Sequence, residues 1–281
     1  MSQPGTVLVT GASTGIGRLT VERLARNGWR VFASVRKDTD ADALAAQHEA
    51  ITPLLFDVTD AEGIAAAARR VHQTVGDGGL HGLVNNAGIA VGGPLEFLPL
   101  EQLRYQLEVN VTAQVAVTQA FMPALRRARG RVVFVGSVAG RSPLPFIGAY
   151  AASKSALHAL AASLRVEVRP WGIAVSVIEP AAYASSIWDT ALDRADRVLL
   201  PDAAGLETYY GATLQAVRRM VRRAGRAKPP HAVALVIEKA LLAKHPRARY
   251  PVGLGARSRA VFELLPTRLR DALIAASMRR A

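Results

Sequence analysis

The feature that most constrains the fold is the alternation of short apolar runs with helical patterns along residues 6–178. Runs such as 7–9 and 132–135 are continuously apolar, which is typical of strands covered on both faces. Segments with helical periodicity separate these runs, and such alternation is typical of a parallel sheet with helices on both sides. The sequence therefore predicts an α/β, doubly wound parallel sheet in a three-layer αβα arrangement.

The predicted elements extend over most of the chain. Strands are expected at about 6–10, 30–35, 51–56, 83–85, 131–137, 173–178 and 248–252. Helices are expected at about 15–27, 40–49, from 60 onward, within 101–128, from 148 to before 170, and at 231–244. We interpret 1–281 as a single domain, with an insertion at 187–230 and a helical tail at 257–281 that breaks at Pro266.

Composition excludes several classes of protein. Half of the 281 residues are hydrophobic and 20% are charged, which fits a globular chain rather than a disordered one. The chain has no cysteine, so disulfides, thiolate metal sites and thiol nucleophiles are excluded. No secretory signal is visible, and the longest uncharged apolar stretch, 109–125, is too polar for a membrane span. We expect a cytoplasmic protein.

The net charge of +13 is concentrated in the C-terminal third. From Ala191 onward, 18 Lys and Arg face 7 Asp and Glu, a net charge of +11. An arginine-rich solvated surface explains this pattern, as would attraction to anionic lipid, phosphorylated ligands or acidic partners. Within this region, Leu214, Val217 and Val221 share one helical face, and Arg218, Arg219, Arg222 and Arg223 lie largely elsewhere. This basic amphipathic helix could cover a substrate mouth or contact an anionic membrane surface.

A glycine-rich turn follows the first predicted strand and opens the first helix. Closely spaced glycines let the backbone approach a pyrophosphate, and a helix N-terminus offers N–H groups and a positive dipole. Its residues are Gly11, Ser13, Thr14, Gly15, Ile16 and Gly17. Arg36 ends the second strand, where an NAD site usually has an acid, so the sequence favours NADP with Arg36 on its 2′-phosphate.

A tyrosine and a lysine lie four residues apart on a predicted helix, so their side chains share one face. They are Tyr150 and Lys154, and Ser137 ends the fifth strand thirteen residues before Tyr150. An ammonium about 4 Å from the phenol would favour its ionised form by roughly 4 kcal/mol, or about three pKa units. We therefore expect Lys154 to lower the pKa of Tyr150 toward the working range of an acid–base catalyst.

With the glycine-rich turn and the Ser-Tyr-Lys group, the sequence resembles the short-chain dehydrogenase/reductase family. The resemblance extends over roughly residues 6–185. The motifs occur in family order and near family spacing. They are 10–17, Asp57, Val58, Asn85, Asn86, Ala87, Gly88, Asn110, Ser137, Tyr150 and Lys154. The resemblance implies a Rossmann-type fold and hydride exchange between NADP (NADPH) and an alcohol or ketone.

The resemblance also implies a role for each matching residue. Tyr150 would exchange a proton with the carbinol oxygen, and Ser137 would polarise that oxygen. Lys154 would hold the nicotinamide ribose, and Asn110 would anchor a water that links Lys154 to solvent. Asp57 and Val58 would contact adenine. Asn85, Ala87 and Gly88 would line the nucleotide and support the sheet.

One stretch departs from the family pattern after the sixth strand, where Pro-Gly and then a threonine are usual. Here Ala181 follows Pro180, Tyr183 comes next to the nicotinamide region, and Ser185 can still offer a hydroxyl to the carboxamide. If residue 181 needs a positive φ, alanine there costs on the order of 1–2 kcal/mol. We expect a displaced or weakened nicotinamide site, and we expect Ala181→Gly to improve it.

The substrate is less constrained than the cofactor. An apolar cleft could be walled by Leu144, Phe146, Ile187, Trp188, Leu199, Leu200, Leu206, Tyr209 and Tyr210, although ordinary packing of the insertion is the alternative. The resemblance leans toward steroids, retinoids or other bulky lipophilic alcohols and ketones. Small ketones or β-ketoacyl thioesters are the alternative substrates, and an idle dinucleotide-binding sensor is the alternative class.

The same resemblance predicts a subunit partner, whereas the sequence lacks motifs for a metal or a nucleic acid. Long helices within 101–128 and 148–169 pack between subunits in similar proteins, so we expect a homodimer or homotetramer. The six histidines show no metal-ligand spacing, so no metal is assigned. The spacing around Ser137 does not fit a nucleophile elbow, and no aromatic-rich nucleic-acid motif accompanies the basic region.

Overall fold

The computed structural model describes residues 4–181, 183, 187, 190–191, 193–194, 203–225, 229–253, 255–256 and 262–279. Its seven strands are β1 (Thr6–Val9), β2 (Arg30–Val35), β3 (Ile51–Leu55), β4 (Gly82–Asn85), β5 (Arg131–Val135), β6 (Ala174–Pro180) and β7 (Arg249–Val252). Its helices are α1 (Gly15–Arg26), α2 (Asp38–Ala45), α3 (Ala61–Val75), α4 (Leu100–Leu107), α5 (Ala113–Ala128), α6 (Gly148–Glu167), α7 (Ala203–Gly225), α8 (His231–Leu242) and α9 (Thr267–Arg279).

All seven strands pair in parallel, in the order β3-β2-β1-β4-β5-β6-β7. The chain runs outward from β1 to β3, then returns to the other side of β1 with β4. This reversal creates a crevice beyond the carboxyl ends of β1 and β4, the usual ligand position in doubly wound sheets. The predicted Rossmann-type fold is confirmed.

Each face of the sheet is covered by its own apolar layer. In β1, Leu8 packs with α3, α5 and α6, while Val7 and Val9 pack with α1, α2 and α8. All three side chains are fully buried. This two-sided burial explains why the strands are continuously apolar instead of alternating.

The long helix expected within 101–128 is divided in the structure. Its N-terminal part is α4 and its C-terminal part is α5, and a π-helical turn at Glu108–Thr112 joins them. Asn110 lies in this turn, with its side chain bound to the backbone of Ile89. Single π-helical turns of this kind are frequent at functional sites.

The predicted insertion and the predicted C-terminal tail each contain a helix. Helix α7 lies within the predicted insertion, and α9 begins at Thr267, directly after the predicted break at Pro266. Trp188, Leu199 and Leu200 of the predicted cleft lie outside the described residues. In the part of the chain that is described, no helix combines the length and hydropathy needed to cross a bilayer.

Candidate active site

The glycine-rich turn lies between the ends of β2 and β4. The Gly11 N–H donates to Ser34 Oγ at 3.2 Å, and the Ala12 N–H donates to the Ser34 carbonyl at 2.9 Å. Gly11 has a φ of +64°, and an added Cβ there would lie 2.8 Å from the Cα of Ala87. Only glycine therefore fits a turn this close to the chain after β4. Ser34 is a positioning residue that the sequence analysis did not identify.

The first turn of α1 opens from this glycine-rich segment. Thr14 is its N-cap residue in an extended conformation, and its side chain forms no capping hydrogen bond. An added Cβ at Gly17 would lie 2.1 Å from the Gly11 carbonyl oxygen, so the helix start and the turn are in direct contact. Ser13, Thr14 and Ile16 at this helix start line the cavity in the crevice, where the N-terminal N–H groups of α1 could donate to an anion.

One cavity of about 270 Å³ runs along the crevice. Many predicted site residues line it: Gly11, Ser13, Thr14, Ile16, Arg36, Asp57, Val58, Ala87, Gly88, Ser137, Tyr150, Lys154, Pro180, Ala181 and Tyr183. Asn86 of the family motif and Ile187 of the predicted apolar cleft also line it, as do Ser34, Phe56, Tyr105 and Thr190, which were not predicted as site residues. The cavity thus joins the glycine-rich turn to the Ser-Tyr-Lys group.

Four predicted residues lie beside the cavity without lining it. Gly15 and Gly17 shape the start of α1, and Asn85 is fully buried, with its Nδ2 donating to Thr118 Oγ1 at 2.8 Å. Asn110 is also fully buried. Ser185 lies outside the described residues.

Arg36 and Asp57 meet at one end of the cavity. Arg36 Nη1 lies 3.6 Å from Asp57 Oδ2, and the Arg36 side chain is exposed while Asp57 is half-buried. Burial raises the pKa of Asp57, but the Thr59 N–H and hydroxyl, together with Arg36, outweigh it and leave that pKa below its usual range. The guanidinium also reaches the cavity, where it could contact an anionic ligand.

Ser137 and Tyr150 meet at the other end. Ser137 follows β5 and caps a short turn, with its Oγ accepting from the Ala139 N–H at 3.1 Å. Tyr150 lies in the first turn of α6 and is only 6% exposed. Burial raises the pKa of the Tyr150 phenol, and a hydrogen bond from Ser137 offsets only part of that rise.

Lys154 lies one helical turn after Tyr150 on the same face of α6. Its Nζ donates to the carbonyl of Val135 at 2.8 Å and lies 5.8 Å from the centre of the Tyr150 ring. Burial lowers the pKa of Lys154 to about 8. The expected lowering of the Tyr150 pKa is therefore not found, because burial disfavours both the phenolate and the ammonium.

Asn110 closes the network behind these residues. Its Oδ1 accepts from the Ile89 N–H at 2.8 Å, and its Nδ2 donates to the Ile89 carbonyl and to Ser153 Oγ, each at 3.0 Å. Gly88 lies between Asn110 and Lys154, since an added Cβ would be 3.1 Å from Asn110 Oδ1 and 3.7 Å from Lys154 Nζ. Asn110 thus fixes the segment after β4 against α6.

The departure from the family pattern after β6 does not strain the backbone. Ala181 has no positive φ, and its N–H donates to the carbonyl of Val252 at 2.8 Å. The condition for a weakened site is therefore not met, and Gly253, which packs against this segment, has a φ of +105°. An added Cβ on Gly253 would lie 3.0 Å from the Tyr183 hydroxyl and 3.2 Å from Ala181 Cβ.

A buried ionic cluster lies behind the Ser137 turn. Glu179 at the end of β6 accepts from Arg249 Nε at 2.6 Å and faces His158 Nδ1 at 3.6 Å. Burial raises the pKa of Glu179 to about 7, and Arg141 opposes that rise. The cluster ties β6 and β7 to α6 one turn after Lys154.

A second cavity of about 890 Å³ lies between the chain after β5, α7 and α9. Four residues of the predicted apolar cleft line it together: Leu144, Phe146, Tyr209 and Tyr210. Ile274 and Met278 of α9 line its opposite side. Its surface is therefore mainly apolar and aromatic.

Tyr210 holds α7 against the segment that leads into α6. Its ring packs edge-on against Phe97 and Phe146, each with centroids 5.8 Å apart, and its hydroxyl donates to Glu96 Oε2 at 2.8 Å. Phe146 comes four residues before Tyr150 and has a φ of +66°. The aromatic contact thus links the wall of the second cavity to the start of α6.

The described residues contain no group of three His, Cys, Asp or Glu side chains placed to hold a metal ion. Two groups stand at the ends of the first cavity among its polar side chains. One is the glycine-rich turn with Arg36, and the other is Ser137, Tyr150 and Lys154.

Curated relatives match nearly the whole chain. The NADPH-dependent 3-dehydrocapnine reductase of Ornithobacterium rhinotracheale is 35% identical over 272 residues, covering 94% of each chain. Retinol dehydrogenase 16 of Mus musculus is also 35% identical, over 281 residues, covering 95% of this chain and 87% of its own.

Solved structures show the same architecture. A short-chain dehydrogenase/reductase of Burkholderia phymatum, solved in complex with NAD, superposes with a TM-score of 0.76 at 27% identity, covering 93% of both chains. The family model described as short chain dehydrogenase matches residues 5–195. The chain therefore belongs to the short-chain dehydrogenase family.

Proposed function

We propose that the protein is an NADP-dependent oxidoreductase that interconverts a secondary alcohol and a ketone, with Tyr150 as the general acid or base. The observation that carries this proposal is the single cavity that joins Arg36 and the glycine-rich turn to Ser137, Tyr150 and Lys154. A bound nicotinamide dinucleotide would supply the hydride acceptor or donor, and the chain would supply position and proton transfer.

The residues along the cavity fit such a dinucleotide. The close approach that Gly11 permits and the N-terminus of α1 suit a pyrophosphate, and the apolar side chains of Val35, Phe56 and Val58 suit an adenine. At the adenine end, Arg36 offers a cation to a 2′-phosphate. The name of the Ornithobacterium relative supports NADP, while the NAD complex of the Burkholderia protein keeps NAD as the alternative.

The Ser-Tyr-Lys group provides the proton chemistry. The raised pKa of Tyr150 keeps the phenol protonated at neutral pH, so it can donate to a carbonyl oxygen as that oxygen becomes an alcohol. Ser137 can donate a hydrogen bond to the same oxygen and so stabilise the negative charge that develops there. The Lys154 ammonium, charged below pH about 8, favours the phenolate left after transfer.

The second cavity supports a bulky lipophilic substrate. Its lining is largely apolar and aromatic, and Phe146 connects it to the start of α6. We propose that the insertion at 187–230 covers this substrate cleft through α7. Retinol dehydrogenase 16 supports the same substrate class by its name. Oligomeric assembly and a cytoplasmic location stay predictions.

Removing the Tyr150 hydroxyl tests the proposed acid. Tyr150→Phe should lower kcat by about 10²–10⁴-fold, because general acid–base catalysis contributes that much. The measurement is a spectrophotometric panel of ketones and alcohols with NADPH, NADP, NADH and NAD.

The matched control for this variant is Tyr105→Phe, since Tyr105 lines the same cavity on α4. It should keep kcat within about threefold of wild type. Tyr150→Phe with undiminished kcat would refute the assignment. Dinucleotide binding without turnover on any substrate of the panel would instead favour a sensor.

Removing the Arg36 guanidinium tests the cofactor preference. Arg36→Ala should raise KM for NADPH by about 10–100-fold, the worth of charge-assisted hydrogen bonds to a phosphate, and change KM for NADH little. Steady-state kinetics with both cofactors give the comparison. Arg30, exposed at the opposite end of β2, is the control, and Arg30→Ala should change neither KM. Equal losses with NADPH and NADH for Arg36→Ala would argue against 2′-phosphate recognition.

Removing the Tyr210 ring tests the substrate class. Tyr210→Ala should raise KM for a long-chain or polycyclic ketone by about 10-fold, through lost aromatic packing, and that for a small ketone less than about twofold. Tyr210→Phe is the control because it keeps both ring contacts and loses only the hydrogen bond to Glu96. A similar effect of Tyr210→Ala on both ketones would contradict a lipophilic site beside α7.

A further inference from the structure

The outward face of α9 is apolar and exposed. Leu269 and Leu273 lie one turn apart on this helix and are 47% and 46% exposed. Leu264, just before the helix, is 84% exposed. The exposed Ala272 and the half-buried Ala276 fall on the same arc as Leu269 and Leu273 at 100° per residue. We call Leu264, Leu269, Ala272, Leu273 and Ala276 the α9 stripe.

The opposite face of α9 borders the second cavity. Ile274, Ala275 and Met278 line the second cavity, α9 contacts α7, and the side chains of Ile274 and Met278 are half-buried. The helix therefore has two apolar faces. One borders the cavity, and the other is left uncovered by the described residues. Exposed apolar side chains grouped on one helical arc are a candidate interaction surface.

Positive charge borders the α9 stripe on both sides. Arg268 and Arg270 lie about 100° to either side of Leu269 along the helix. Within the described ranges neither forms an ion pair with a carboxylate, and Arg270 Nη2 contacts only the Thr267 hydroxyl, at 3.3 Å. The chain from Ala191 onward carries a net charge of +11, so an anionic partner is favoured over a neutral one.

From sequence, the basic amphipathic helix that is α7 could either cover a substrate mouth or contact an anionic membrane surface. In the structure, Val217 of that helix is buried and Leu214 is half-buried, so its apolar face packs inward. Arg219 lines the second cavity. The uncovered apolar face belongs to α9 instead.

We propose that the α9 stripe docks the protein on the surface of an anionic lipid bilayer. Leu264, Leu269 and Leu273 would enter the interfacial region, and Arg268 and Arg270 would contact lipid phosphates. An apolar arc bordered by arginines on a helix is the arrangement of interfacial helices. Docking would place the second cavity, lined by the other face of α9, next to the lipid. The inference does not depend on the proposed oxidoreductase activity.

Vesicle flotation tests the proposal with the full-length protein. Vesicles of phosphatidylcholine with about 30% phosphatidylglycerol should float the wild-type protein at low salt, and pure phosphatidylcholine vesicles should float at least about 10-fold less. High salt should weaken binding, because the arginine–phosphate attraction is screened. The double variant Leu269→Glu/Leu273→Glu should lose binding at least about 10-fold, and so should Arg268→Glu/Arg270→Glu.

Leu235→Glu is the matched control, because Leu235 is 49% exposed on α8. It should bind vesicles as the wild type does, and circular dichroism melting should show that all variants fold. Undiminished flotation of the Leu269→Glu/Leu273→Glu variant would overturn the proposal, as would an equal loss with Leu235→Glu. Light scattering that shows self-association abolished by the same double variant, without vesicle binding by the wild type, would assign α9 to a subunit interface instead.

Discussion

The hydrogen bond from the buried Lys154 ammonium to the Val135 carbonyl holds the active site together. It joins the side chain of α6 to the end of β5, the strand that also leads into Ser137. Tyr150 and Ser137 therefore meet because the helix and the strand end are held in one register. A buried cation is unfavourable unless it finds polar partners, so this contact favours one placement of α6 on the end of β5.

The rest of the site depends on the parallel sheet that carries this contact. Parallel strands place their carboxyl ends at one edge, so the glycine-rich turn after β1, the chain after β4 and Ser137 after β5 reach the same crevice. Hydrogen bonds across these ends, such as those of Ser34 and Asn110, then fix the short segments between them. A dinucleotide could lie along that edge from Arg36 to Tyr150 because the cavity is continuous.

Much of this arrangement could be predicted from sequence because it follows from local patterns. The four-residue spacing of Tyr150 and Lys154 determines a shared helical face, and the apolar strands determine the two-sided sheet. The upward shift of the Tyr150 pKa could not be predicted, because it depends on burial of the phenol by residues distant in sequence. The positive φ suspected at Ala181 is not present, because its backbone pairs with Val252 of β7, a contact between residues far apart in sequence.

For the helices in the basic C-terminal region, sequence periodicity likewise does not show which face is covered. Periodicity shows that α7 is amphipathic, but only packing shows that its apolar face turns inward. The role of Ser34 was also hidden, because a serine inside an apolar strand carries no local signal for a hydrogen bond to a turn elsewhere. Local sequence patterns determine which residues share a face of a helix or strand. Tertiary contacts determine which of these faces are covered and which ionisable groups are buried away from water.

The charge of Lys154 beside the Tyr150 phenol is the central claim, and single-turnover ketone reduction measured against pH tests it most directly. The reduction rate should be constant through neutral pH and fall above pH about 8, where the buried lysine loses its proton while the phenol, with its raised pKa, stays protonated. Lys154→Arg, which stays charged, should remove that decline in whatever activity it retains. A wild-type reduction rate that stays level from neutral pH to well above 8 would contradict the account.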